Sequence, residues 1–423
     1  MLSELEKVIQ QRSNKWSVEH SIGLANAQEQ ILEFRRLGLA QIAHDISRSI
    51  SGNFPNEVGN PPVLYDRNWL EEFATGDIIK CLGPEYGIYK NRRSPRIPNG
   101  DLLLMTRIMS IQGKRGDFNS NSRIEAELDI PINAWFFDGT INGEMPLSIM
   151  MESALQPCGV LSAWLGTQLR LPDVDFFFRN LDGDVRYLRK IDLRGKTIQA
   201  KATLTRTVFS GSTIIQHFKF ELACDGVVFF EGTSSFGYFP EDSMATQSGL
   251  DGGKVILPWG KRPDNSKSLE KIDLDNTFSN PGFPTGKLRL IDEAYFCMEG
   301  GLFSKGYVTA SRQNSPKDWF YLNHFYQDPV MPGSLGIEAV IQALKVAIHS
   351  MTSSDHPVTL ATGLGFIWKY RGQVLQNHQQ MIIDVNLKDQ QPMDKATVFT
   401  ADASLWADET RIYELKNLAV QQE

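Results

Sequence analysis

The sequence is poor in the features that mark metal-bound, disulfide-stapled or membrane-spanning chains. Its four cysteines, Cys81, Cys158, Cys224 and Cys297, lie far apart and form no CxxC pair, so neither a zinc site nor a disulfide framework is indicated. No stretch approaches the ~20 apolar residues of a transmembrane helix. The N-terminus, MLSELEKVIQQRSNKW, carries charges where a signal peptide needs an apolar core. Basic residues are outnumbered, 43 against 50 acidic, for a net charge of −7 over 423 residues, which argues against a chain-wide grip on nucleic acid or anionic membrane. Histidine is scarce too: there are seven, and none lies between positions 98 and 216. These absences together give the expectation of a cytoplasmic protein with no metal, no nucleic-acid partner and no membrane insertion.

What remains is a chain with 41% hydrophobic residues, long enough for two or three domains. In residues 1–50, Ile31, Phe34, Leu37 and Ile42 recur at roughly helical spacing. From Gly52 to Gly100 the chain becomes rich in Pro, Gly and Asn and reads as a linker or irregular docking segment. Alternation of apolar and polar residues then predicts strands: Ile124, Ala126, Leu128 and Ile130 share one face, as do Ile198, Ala200, Ala202 and Leu204, and Phe218, Phe220, Leu222 and Cys224. A helix is predicted at 147–166. After a connector rich in Gly, Ser, Asp and Pro, the same order of elements returns, ending in a strand that alternates Phe399, Ala401, Ala403 and Leu405.

The return is an internal repeat. MPLSIMMESALQ at 145–156 matches MPGSLGIEAVIQ at 331–342, and AWFF at 134–137 matches DWFY at 318–321, with two residues fewer between Trp and Met in the first copy. The expected divisions are an N-terminal helix and linker at 1–97, a first copy at 98–240, a connector at 241–284 and a second copy at 285–420.

The chemistry concentrates at 324–342, HFYQDPVMPGSLGIEAVIQ. Pro332 and Gly333 can turn the chain so that the first free N–H groups of a helix face a ligand, where the helix dipole favours developing negative charge. Glu338 and Gln342 then share one stripe of an otherwise apolar helix. A carboxylate there is costly to bury unless neutral or paired, although an isolated Glu more often faces solvent. His324 alone is equally ambiguous.

With DPVMPG behind it, the string resembles the signature of bacterial β-hydroxyacyl-ACP dehydratases, in which a His, a Pro-Gly turn and an acid on the following helix recur in this order. The portion HF…DPVMPGSLG is similar to the dehydratase/isomerase branch, where the acid is Asp; Glu338 instead resembles the non-isomerising branch. The segment at 70–108 resembles the entry to the paired dehydratase region of polyunsaturated fatty acid synthases and related glycolipid synthases. The resemblance implies an α+β double hot-dog, two antiparallel sheets each wrapped round a central helix, after an N-terminal helical or irregular segment. It implies dehydration of 3-hydroxyacyl chains to trans-2-enoyl chains, with isomerisation of the double bond left open, His324 as base, the Gly333 N–H as oxyanion donor and no cofactor. The implied partners are acyl carrier protein bearing the 3-hydroxyacyl thioester and other synthase domains or subunits; homodimerisation stays open. Ser334, Gln342 and Gln156 are expected to help bind substrate.

Counting back seven from Met145, as His324 stands seven before Met331, reaches Asp138. The first copy therefore lacks the base, and an unperturbed Asp is a poor proton acceptor near neutral pH. Leu147 also replaces the Gly of the turn, and Pro157 is expected to cut the helix after Gln156. The first copy keeps Glu152. In the dimeric dehydratases that the sequence resembles, the His of one fold works with the acid of the other, which would set His324 opposite Glu152 and leave Glu338 facing Asp138 in a degenerate site. The rival readings are a hot-dog thioesterase and a non-catalytic acyl-binding or docking module.

Overall fold

The computed structural model describes residues 63–423 apart from Ser120, Ser353, Asp355 and Asp394; the helix expected within 1–50 lies outside the described residues. Residues 129–134 and 194–196 group apart from the rest by their contacts and are tied to each other, Ile130 N–H to the Lys196 carbonyl and Gly195 N–H to the Ile130 carbonyl. Segments 63–128, 135–193 and 197–423 form one compact unit.

The strands are β1 (Arg107–Gln112), β2 (Arg123–Asp129), β3 (Phe176–Tyr187), β4 (Thr197–Ser210), β5 (Thr213–Cys224), β6 (Val227–Pro240), β7 (Glu270–Lys271), β8 (Glu293–Cys297), β9 (Tyr307–Gln313), β10 (Val358–Leu360), β11 (Gly365–Tyr370), β12 (Gln380–Pro392), β13 (Thr397–Ala407) and β14 (Thr410–Gln422). They run in the order β1-β2-β4-β5-β6-β3-β11-β14-β13-β12-β9-β8-β7, with β10 pairing β14. Read outward from its middle, each half repeats the other, which is the internal repeat in three dimensions. The alternating sets on β2, β4, β5 and β13 are buried as their period-2 pattern requires.

Each half closes on one helix. The first central helix, Leu147–Trp164, lies on β4 and β5, and the second, Gly333–Thr352, on β8, β9, β12 and β13. The two helices also touch each other. This is the double hot-dog, with one modification: the two expected sheets are joined into one of 14 strands through β3 and β11. At that seam Trp368, fully buried, lies opposite Gly183. A Cβ at Gly183 would come within 2.3 Å of the indole, so only glycine admits the Trp. The indole N–H reaches back to Asn180 Oδ1 at 2.8 Å.

Two local expectations change. Pro157 does not cut the first central helix, which continues to Trp164. The missing hydrogen bond costs about 3 kcal/mol in an isolated helix, but Val160, Leu161 and Ala163 beyond it are buried in the sheet, and burial at ~1.5–3 kcal/mol per large apolar side chain outweighs it. The supposed linker is also structured from residue 63. A helix at Arg67–Thr75 is capped by Asp66, whose carboxylate accepts the Trp69 N–H at 3.0 Å, and it buries Leu70 and Phe73. Among the described residues no helix is long and apolar enough to cross a membrane.

Candidate active site

His324 follows a short helix, Trp319–Asn323, and opens a loop that closes on itself. The Val330 N–H donates to the His324 carbonyl at 2.8 Å, and Phe325 and Asp328 exchange N–H···O bonds at 3.1 Å each. The imidazole Nδ1 lies 3.0 Å from the Val330 carbonyl. A carbonyl can only accept, so Nδ1 carries the proton and Nε2 keeps its lone pair. The side chain is buried, 8% exposed. Burial, with a smaller contribution from the nearby Arg179 charge, pushes its pKa down to about 3, against a weaker upward pull from the Val330 bond. The imidazole is therefore neutral at working pH, the state a base needs.

Arg179, on β3 of the first copy, fixes this loop from across the repeat. Its guanidinium grips both Asp328 oxygens at 2.6 Å each, and both side chains are largely buried, 9% and 16% exposed. Asp328→Ala leaves the cation without its partner and is expected to cost about 2–4 kcal/mol, discounted from full burial for the residual exposure, with a matching fall in melting temperature. Dehydration should fall with it, because the His324 loop loses its anchor. Adding Arg179→Met to Asp328→Leu should recover most of the stability; a double variant as unstable as Asp328→Ala would contradict the ion-pair account.

A carboxyl group that lines the same cavity as His324 comes from the other copy. One cavity of about 390 Å³ is lined by His324, Gly333, Ser334, Glu152, Gln156 and Tyr370, among others. Glu152 Oε1 accepts from Ser334 Oγ at 2.7 Å and Oε2 from Gln156 Nε2 at 3.2 Å. Burial raises its pKa against both hydrogen bonds, favouring the neutral acid that can donate a proton. Ser334 thus positions the acid across the copies. Gly333 begins the second central helix, where Leu335 and Gly336 are the first donors, both to the Pro332 carbonyl. The N–H groups of Gly333 and Ser334 precede them at the positive end of the dipole. A Cβ on Gly333 would meet the Tyr370 ring at 2.6 Å, which accounts for the glycine.

Three expected assignments change. Gln342 is not among the residues lining this cavity: its side-chain oxygen accepts the Leu290 N–H at 2.9 Å and its amide donates to the Leu288 carbonyl at 2.6 Å. Gln156 makes the matching pair with Leu104 and Leu102, at 2.9 and 2.7 Å, while also bordering the cavity. Both glutamines satisfy buried backbone groups ahead of their sheets. Asp138 does not face Glu338, because it is exposed. Glu338 instead borders a space of about 30 Å³ with Leu147, Lys345 and Glu144, and it accepts the Ser148 N–H at 3.2 Å. The second site of the pair is closed, filled in part by the Leu147 that replaces glycine.

Sequence reasoning missed Arg179 and Tyr370, and it took in Asp328 within DPVMPG without giving it a partner. An Arg directly after Phe176, Phe177 and Phe178 was the available signal for the first, since a cation in an aromatic strand needs a partner. Tyr370 falls in register with Phe366 and Trp368 and reads as ordinary core.

In comparisons with known proteins, the model for the FabA-like domain matches residues 97–233 and 283–416, one stretch per copy and well over half the chain. A polyunsaturated fatty acid synthase polypeptide of a Thraustochytrium species is 34% identical over 380 residues, 83% of this chain but only 25% of that protein. Among solved structures, an isomerase-inactive variant of GphF DH1 is similar with a TM-score of 0.43 and 12% identity, covering 75% of this chain and 96% of the other. A 12:0-ACP thioesterase from Umbellularia californica gives 0.41 and 13%, covering 71% and 94%.

Proposed function

Because the chain belongs to the FabA-like domain family, we propose that it dehydrates 3-hydroxyacyl thioesters to trans-2-enoyl thioesters, with the acyl chain presented on acyl carrier protein. The observation that carries this reading is one cavity holding a neutral His324 from one copy and a Glu152 with raised pKa from the other. His324 Nε2 takes the C2 proton, whose acidity the thioester supplies; the low proton affinity of the resting imidazole rises as Glu152, in the same cavity, gives up its proton and becomes a carboxylate. The Gly333 N–H receives the charge that builds on the thioester oxygen. The C2=C3 bond forms as the C3–O bond breaks, and Glu152 protonates the departing hydroxyl, which leaves as water. Proton return from the imidazolium to the Glu152 carboxylate resets the pair.

The partners in this reading are acyl carrier protein and further synthase domains or subunits, since the chain matches a quarter of a longer polyunsaturated fatty acid synthase subunit. All four cysteines are free, which suits a reducing cytoplasm.

The test is incubation with 3-hydroxyacyl-ACP of several chain lengths from pH 5 to 9, following water loss by mass spectrometry and double-bond position by chromatography. Enoyl-ACP is expected; release of free acid with no enoyl product would instead make the protein a thioesterase. The sign of the pH dependence follows from the two groups. The base works above its folded pKa of about 3, and the acid works below its raised value. Between pH 7 and 5, kcat/KM should therefore hold steady, where an imidazole at its ordinary pKa would lose on the order of tenfold or more. Activity should decline as pH rises through the Glu152 pKa. A loss of activity as pH falls through about 6.5 would contradict the buried neutral base.

A further inference from the structure

Tyr370, the last residue of β11, is buried, 5% exposed, and borders the cavity that holds His324 and Glu152. Its hydroxyl has no hydrogen-bond partner among the described residues. Four other buried tyrosines find one: Tyr86 at the Ala163 carbonyl, Tyr238 at Ser162, Tyr307 at the Gly260 N–H and Tyr321 at Asn314. An unsatisfied buried hydroxyl costs stability and needs an explanation. Its position supplies one. A Cβ built on Gly333 would stand 3.1 Å from the Tyr370 oxygen, so the hydroxyl sits beside the first residue of the second central helix, which lines the same cavity. The ring is held from behind by Tyr413, centroids 4.3 Å apart.

We propose that Tyr370 is a further catalytic residue, its phenol O–H donating a hydrogen bond to the thioester oxygen of the bound 3-hydroxyacyl substrate beside the Gly333 N–H. The inference rests on the dehydratase reading above and deepens it. Two donors then meet the charge that builds as C2 loses its proton, and the substrate satisfies the orphaned hydroxyl. Burial, reinforced by Tyr413 and Glu152, holds the phenol far above its ordinary pKa, so it stays a donor and takes no part in proton transfer.

Tyr370→Phe tests this without disturbing the packing. With 3-hydroxyacyl-ACP, kcat is expected to fall about 10–100-fold, somewhat less than for loss of a sole oxyanion donor. KM should change little, because the bond strengthens in the transition state. The melting temperature should hold or rise, since no hydrogen bond within the protein is lost. A purely structural role would show the opposite split, a lower melting temperature with kcat preserved in the folded fraction, and would overturn the proposal. So would an active wild type matched in kcat by Tyr370→Phe. A folded wild type inactive on these substrates would take down the dehydratase reading and this inference with it.

Discussion

Replacing His324 with alanine is expected to lower kcat/KM for dehydration by roughly 10³-fold, within the range of 10²–10⁴ typical for a positioned acid or base. Nothing else in the cavity can substitute: Glu152 is favoured as the neutral acid and Arg179 is committed to Asp328. The fold should survive, because the side chain borders an existing cavity and its single hydrogen bond to Val330 is worth about 1 kcal/mol. The same variant carries a thermodynamic signature. The folded pKa of His324 lies below the unfolded value of about 6.5. Unfolded chains therefore bind more protons between those values, and this residue's contribution to stability is present above pH 6.5 and lost as pH falls toward 3. His324→Ala should remove that slope between pH 6.5 and 4 when melting is followed against pH. A variant that keeps dehydrating within a few-fold of wild type would end the assignment of His324 as base, and with it the preference for an enzyme over a docking platform.

Much of the fold is legible because strands and helices write their periods locally. The sets led by Ile124, Ile198, Phe218 and Phe399 name the buried faces of four strands, and the repeat of MPxS…E…Q announces two copies. A strand's alternation names its faces and not its neighbours, so the seam between β3 and β11, and the Trp368 set against Gly183, cannot be read from it. The site divides in the same way. His324, Gly333 and Ser334 lie within eleven residues of one another and stand out together. Arg179 and Asp328 are 149 positions apart, with no pattern linking them. Gln342 misleads because its position on the helix says that it faces inward but not that Leu288 and Leu290 use up its amide. Asp138 holds the matching place in the repeat, yet with the first turn carrying Leu147 in place of glycine, the space beside Glu338 closes without it.

The separate substitutions Glu152→Gln and Glu338→Gln decide whether the two copies share one active site. They occupy matching positions in the repeat, both are buried, and burial raises the pKa of both, so burial and charge alone do not distinguish them. Their surroundings do. Glu152 opens on a cavity of about 390 Å³ that also holds His324, whereas Glu338 borders about 30 Å³, roughly room for one water. Glu152→Gln keeps the shape and can still meet Ser334 and Gln156, but an amide cannot deliver a proton to the leaving hydroxyl. It should cost about 10²–10⁴-fold in kcat, with the melting temperature near wild type. Glu338→Gln keeps an oxygen for the Ser148 N–H and should leave kcat nearly unchanged, any effect appearing in stability. A loss of activity from Glu338→Gln equal to or greater than that from Glu152→Gln would place the acid on the same copy as its base and reduce the first copy to a scaffold. The expected order instead makes the copy without a histidine half of the enzyme, its acid held in place by Ser334 of the other.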